Sequence, residues 1–262
     1  MYSVAKAVIT GSVAEIYLYT KPVEYGYEQP KVQKSTRIIQ TDEQKQENKK
    51  RSLLQTRRNL RNILQSNAWQ FNNDNGRPNV PLFITLTFRE NITDLSTAHG
   101  EFTRFIQRFN NRLYGKDEAR IKYLAVPEFQ KRGAVHYHVI FFNLPFIEQI
   151  YDEINRIWRN GFTLVETIKN LSHMVNYVAK YITAEALDER LSRRKRYFTS
   201  RGLNKPFETR VESDIASLLE QLPKDKIIYR NVYNSDYGQE TEYINFDLGQ
   251  GTNACALLQL NN

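Results

Sequence analysis

Between Pro81 and Ile168 the apolar residues switch between strand-like and helix-like spacing in the order β-α-β-β-α-β. "PLFITLTF" (Pro81 to Phe88) reads as a strand rich in β-formers. In "TAHGEFTRFIQRFNNRLY", Phe102, Phe105, Ile106, Phe109 and Leu113 recur at helical spacing. "RIKYLAVPEF" and "AVHYHVIFF" follow as strands, joined by the turn-like "QKRGA". "PFIEQIYDEINRIW" then carries Ile147, Ile150, Tyr151, Ile154, Ile157 and Trp158 on one helical face and stops near Gly161, and "FTLVETI" is a fourth strand. This order is the split βαβ, ferredoxin-like arrangement. It predicts an α+β fold with a central antiparallel sheet of about five strands and flanking helices, the first and third strands lying at the centre.

The third strand carries two histidines. Side chains alternate across a strand, so His136, His138, Ile140 and Phe142 share one face and Val135, Tyr137, Val139 and Phe141 the other. Two imidazoles on one face can share a metal ion and are a poor filling for a core. Glu128, in "VPEFQKRG", is the candidate third ligand, because a hairpin returns it beside the histidines. Two histidines and a carboxylate with open positions suit Mg²⁺ or Mn²⁺ engaging a phosphate oxygen. Taken alone, the pair fits two hydrogen-bonded sheet histidines equally well.

The helix-like stretch "LSHMVNYVAKYITAEAL" bears on that choice. Leu171, Met174, Val175, Val178 and Ile182 cluster on one side, and His173, Tyr177, Lys180, Tyr181 and Ala184 form a separate stripe. Tyr177 and Tyr181 are one turn apart and therefore neighbours, with Lys180 beside them. Two phenols and an ammonium near a divalent ion suit phosphodiester chemistry, since a tyrosine hydroxyl of pKa about 10 needs activation before it attacks. In a chain with 16 tyrosines the pair also serves as helix packing. His173 reads more readily as a surface histidine near a helix start than as a further ligand.

Composition narrows the partners. The 262 residues contain 37 Lys plus Arg against 29 Asp plus Glu, a net charge of +8 that favours polyanions. The cations cluster in two places. One is a long helix predicted from Thr41, opened by a capping box of Thr41 with Gln44 and carrying Arg57, Arg58 and Arg61. The other is "DERLSRRKRYFTSRGLNKP", with Arg193, Arg194, Lys195, Arg196 and Arg201 for phosphates and Tyr197 for base stacking. The single cysteine, Cys255, excludes an internal disulfide and a cysteine-based zinc site, and it suits a reducing compartment. No apolar run reaches the roughly 18 residues of a membrane span. The N-terminus lacks a secretory pattern, so the expected location is the cytoplasm, away from any membrane. No G-x-x-x-x-G-K-[ST] phosphate cradle occurs.

"HYH", "NYVAKYI", "FITLTF" and "KRYFTSRGLNKP" together resemble the HUH endonucleases, specifically rolling-circle replication initiators of the two-tyrosine type found in small single-stranded DNA phages and related plasmids. The resemblance covers roughly residues 80 to 206. It implies that His136, His138 and Glu128 hold the divalent ion and that Tyr177 attacks an origin phosphodiester in single-stranded DNA. That attack leaves a 5′-phosphotyrosine and a free 3′-OH, and Tyr181 makes the second attack. It also implies reliance on a host helicase, DNA polymerase and single-strand-binding protein. The expected divisions are an N-terminal accessory DNA-binding part (1–79), an endonuclease core (80–206) and a helix-plus-hairpin extension (207–262) whose last dozen residues read as a loose tail. A transposase or mobilisation relaxase of the same superfamily keeps this chemistry. A non-catalytic nucleic-acid-binding module would instead carry exposed aromatics where His136 and His138 stand. A metal-dependent hydrolase without a covalent intermediate would survive loss of both tyrosines.

Overall fold

In the computed structural model, residues 1–26, 41–115, 118–168, 170, 175, 190, 195–235 and 238–258 are described. The chain order begins β1 (Tyr2–Thr10), β2 (Val13–Glu24), α1 (Asp42–Asn67), β3 (Leu82–Thr87), α2 (Leu95–Tyr114), β4 (Tyr123–Phe129), β5 (Val135–Phe141) and α3 (Ile150–Trp158). It continues with β6 (Thr163–Thr167), β7 (Phe198–Thr199), β8 (Phe207–Thr209), α4 (Glu212–Gln221), β9 (Ile227–Asn234) and β10 (Glu240–Asp247). The strands form two antiparallel five-stranded sheets. One belongs to a unit of residues 67–204 and the other to a unit of residues 1–66 with 205–262.

In the unit 67–204 the strand order is β6-β3-β5-β4-β7. Its first four strands have the ferredoxin-like order, with β3 and β5 at the centre as the sequence predicts. The alternation of β5 sets which face carries what. Val135, Tyr137, Val139 and Phe141 are buried in a core with Phe102, Phe105 and Phe109 of α2 and Ile154, Ile157 and Trp158 of α3. Phe102 stacks on Tyr137 with centroids 4.7 Å apart, and Trp158 meets Phe105 edge-on at 5.6 Å. Each such side chain contributes about 1.5–3 kcal/mol through burial, which fixes the register, because a one-residue slip of β5 would send these rings to the other face. Asp94 caps α2 by accepting from the Thr97 amide at 2.8 Å. With one sheet face committed to α2 and α3, His136 and His138 are held on the opposite one.

In the other unit the strand order is β8-β1-β2-β10-β9. Ala5, Ala7 and Ile9 of β1, Ala14 and Ile16 of β2, and Ile244 and Phe246 of β10 share a core with Ile215 and Leu218 of α4. The sequence reading treats the two chain ends separately, whereas this sheet draws strands from both. The expected loose tail is also partly built in. Ala254 and Leu258 join the same core, and the Ala254 amide donates to the Gly11 carbonyl at 2.8 Å. α1 opens with the predicted capping box: the Gln44 amide donates to Thr41 Oγ1 at 3.3 Å and the Thr41 amide to Gln44 Oε1 at 3.1 Å.

Near its end α1 is tied to the sheet by a polar network. Arg61 Nη2 donates to Glu15 Oε1 at 3.0 Å, the Tyr243 hydroxyl donates to the same oxygen at 2.6 Å, and the Glu15 side chain is only 4% exposed. Removing one partner of a buried ion pair is far worse than removing both. Arg61→Ala is therefore expected to destabilise the protein by about 2–4 kcal/mol, read as a lower urea midpoint. The double variant Glu15→Gln/Arg61→Ala should recover most of that loss.

Candidate metal centre

The β4–β5 hairpin builds the site. Its turn is closed by the Gln130 amide donating to the Ala134 carbonyl and the Gly133 amide to the Gln130 carbonyl, each at 2.8 Å. Gly133 takes φ 87°, in the region that favours glycine. This turn sets the register that pairs Glu128 with His136 and Val126 with His138. On the other side, β3 pairs Thr87 with His136 and Thr85 with His138. Directly paired side chains project from the same face, so the carboxylate and both imidazoles meet.

They meet closely. His136 Nε2 and His138 Nε2 each lie 2.7 Å from Glu128 Oε2, and the donor atoms of all three side chains fall within 4.8 Å of one another. His138 is buried, while His136 and Glu128 are half-buried. Burial raises the Glu128 carboxyl, but hydrogen bonds from His136 and His138 outweigh it and hold the group down at about 2. His138 is shifted below the usual imidazole value, chiefly by burial, with the Glu128 hydrogen bond opposing. An ionised carboxylate and a neutral imidazole are the forms that ligate a metal. Two imidazole nitrogens and a carboxylate oxygen converging in this way fit one divalent ion of the Mn²⁺ or Zn²⁺ kind, with positions left for other ligands.

Two neighbours that the sequence reading did not single out hold His138 in place. Thr85 Oγ1 lies 3.2 Å from its Nδ1, and the Phe83 ring stacks on the imidazole at 5.5 Å and 19°. When Nε2 faces a metal, Nδ1–H donates to Thr85, which fixes the tautomer and the ring plane. The available signal was alternation in "FITLTF", which sets Phe83, Thr85 and Thr87 on one face.

The remaining sequence candidates fall elsewhere. Tyr177, Lys180, Tyr181, Arg193 and Arg194, and also His173, lie outside the described residues. Lys195, Arg196 and Tyr197 line a pocket of about 460 Å³ with His99, Thr103, Tyr123, Phe198 and Thr199. His99 and Thr103 belong to α2, so this pocket is on the helix-bearing face of the sheet and not on the face of the triad. Arg201 is exposed, and its carbonyl accepts from Lys122 Nζ at 2.9 Å. Arg57 and Arg58 are exposed on α1, while Arg61 is engaged with Glu15.

With the triad and its sheet defined, the comparisons with known proteins become informative. Residues 81–186 match a family model of replication-associated proteins of the ORF2 type. That stretch contains β3 through β6, with Glu128, His136 and His138, and it also spans Tyr177, Lys180 and Tyr181. Among curated proteins the chain is similar to "Replication-associated protein ORF2" of Spiroplasma virus 4, at 32% identity over 122 residues. The match covers 38% of this chain and 37% of the viral protein, so it spans little more than a third of either. No solved structure matches the chain.

Proposed function

We propose that the protein is a rolling-circle replication initiator that nicks and rejoins single-stranded DNA at an origin through a 5′-phosphotyrosine. The observation that carries this reading is the convergence of Glu128, His136 and His138 on one sheet face, within a segment similar to replication-associated proteins. His136, His138 and Glu128 would hold one Mg²⁺ or Mn²⁺, which supplies charge stabilisation to the scissile phosphate. Tyr177 is the first nucleophile. Its Oη attacks phosphorus, the P–O3′ bond breaks, the phenolic proton is lost and the 3′-oxygen leaves to become a free 3′-OH. Lys180 lies beside this exchange and stabilises its negative charge. One phosphodiester is traded for another, so rejoining needs no ATP, and Tyr181 makes the second attack when the strand is closed. Arg193, Arg194, Lys195, Arg196 and Arg201, with Tyr197, and Arg57 and Arg58 on α1 are the proposed DNA contacts. The free 3′-OH would be extended by the polymerase of a bacterial host, with the host's helicase and single-strand-binding protein, in the cytoplasm.

The test is incubation with Mn²⁺ and single-stranded oligonucleotides from the protein's own genetic element, followed by denaturing gels. Wild type is compared with Tyr177→Phe, Tyr181→Phe and the double variant. A covalent protein–DNA adduct in wild type that vanishes in the double variant is the expected result. Cleavage that persists in the double variant without any adduct would contradict the tyrosine mechanism and leave a metal-dependent hydrolase in its place.

A further inference from the structure

β9 is an edge strand of the sheet in the unit 1–66 with 205–262, and almost every residue in it is exposed. Alternation places Tyr229, Asn231 and Tyr233 of β9 on the same face as Thr241, Tyr243 and Asn245 of β10. Tyr243 and Thr241 in turn pair with Tyr17 and Tyr19 of β2. This is the face away from the α4 core, since Ile244 and Phe246 point to that core from the alternate positions. Five tyrosines thus share one surface.

The cluster is held from below and open above. Tyr17 and Tyr243 lie 5.0 Å apart, and Tyr229 and Tyr233 approach Tyr243 at 5.9 and 6.5 Å. Tyr243 is anchored by its hydrogen bond to Glu15. The Tyr229 and Tyr233 hydroxyls are 2.8 Å apart, and Asn231 Nδ2 donates to Tyr229 at 3.1 Å. These contacts fix the rings while leaving Tyr229 45% and Tyr233 48% exposed. The charge around them is one-sided. Arg58 and Arg61 act on Tyr17 from α1, and Arg210 hydrogen-bonds Tyr19. Glu15, the carboxylate of β2 within this cluster, is buried and paired, whereas Glu240 and Glu242 sit at the alternate positions of β10 that face away.

We infer that this tyrosine face is a second nucleic-acid site, a stacking platform for single-stranded DNA separate from the metal centre. Rigid, half-exposed phenol rings accept the face of any unpaired base, and a basic rim takes the backbone. Duplex DNA keeps its bases stacked on each other and cannot use such a surface. The site itself rests on the unit's own geometry, and the choice of DNA over RNA rests on the proposed function.

Binding is measured by fluorescence anisotropy in EDTA with the full chain and a labelled oligothymidylate of about 15 nucleotides, close to the upper site size of single-strand platforms. The Tyr229→Ala/Tyr233→Ala variant is expected to bind about tenfold or more weakly, whereas Tyr229→Phe/Tyr233→Phe stays within about threefold of wild type, because stacking needs the ring and not the hydroxyl. Arg58→Ala should weaken binding and flatten its salt dependence by about one unit of slope. Affinity for a duplex of the same length should be unchanged in the tyrosine variants. Unchanged oligothymidylate binding in the alanine variant would overturn the inference, as would tighter binding of oligouridylate than of oligothymidylate. So would a wild-type dimer that the alanine variant dissolves, which would make the face a contact between copies. Loss of binding in the alanine variant, with no nicking of any substrate by wild type, would sink the initiator reading and leave the platform standing.

Discussion

His136→Ala and His138→Ala should each lower the rate of oligonucleotide nicking by about 10³-fold or more at saturating Mn²⁺. A bound ion contributes several kcal/mol of charge stabilisation to the transition state, and each 1.36 kcal/mol is a factor of about ten. Losing one of two imidazoles from a three-ligand set leaves too few donors to hold it. The two variants need not be equal. His138 is buried, stacked on Phe83 and bonded to Thr85, so His138→Ala also opens a cavity, and His138→Gln controls for lost volume. Thr85→Val should cost about 10- to 100-fold, because it leaves the ligands in place and removes only what orients one of them. Thermal melts of the same variants separate misfolding from loss of the ion. Nicking by either alanine variant within about tenfold of wild type would contradict a catalytic role for the triad.

The largest effect on stability is expected at a glycine. Gly161 follows α3 and runs against the end of β3. A Cβ there would overlap the Thr87 carbonyl oxygen, lie 2.5 Å from the Arg89 nitrogen and 2.9 Å from the Phe88 carbonyl carbon. All three neighbours are backbone and cannot swing away. They are also tied down: the Thr87 amide donates to the Phe162 carbonyl at 2.9 Å, the Arg89 amide to the Asn160 carbonyl at 2.8 Å, and Trp158 Nε1 to the Thr87 carbonyl at 3.1 Å. Gly161→Ala must break part of this set or push β3 off α3, at a cost of about 3 kcal/mol or more and a fall in melting temperature of roughly 6–12 °C. Because Thr87 pairs with His136, metal affinity should fall with it. Gly76→Ala is the control. Its φ of 72° strains a non-glycine residue, but a Cβ there meets nothing within 4 Å, so the loss should be about 1–2 kcal/mol.

What the sequence reveals, and what it hides, follows the range of each interaction. The alternation of "AVHYHVIFF" separates His136 and His138 from Val135, Tyr137, Val139 and Phe141, and that division holds because the apolar set is captured by Phe102 and Trp158. Glu128 was legible for a similar reason, since a short turn returns it to the histidines. Local rules also gave the Thr41–Gln44 cap and the hairpin of β9 with β10. The terminal sheet was not legible. Val8 pairs with Glu208, and Ile16 with Ile244, across some two hundred residues, and no local period records such a pairing. Arg61 illustrates a second limit. In the sequence it is one more cation on a basic helix, and only the fold brings it to the buried Glu15. Thr85 is a third case, because a threonine in a strand of β-formers gives no sign that it faces a histidine.

The central claim is that Glu128, His136 and His138 form one metal centre, and a titration of Mn²⁺ into the protein, followed by electron paramagnetic resonance of the free ion, tests it most directly. The account predicts one ion bound per chain in wild type and none in the His136→Ala/His138→Ala variant under the same conditions. Equal binding by the two proteins, or no binding by wild type, would contradict it.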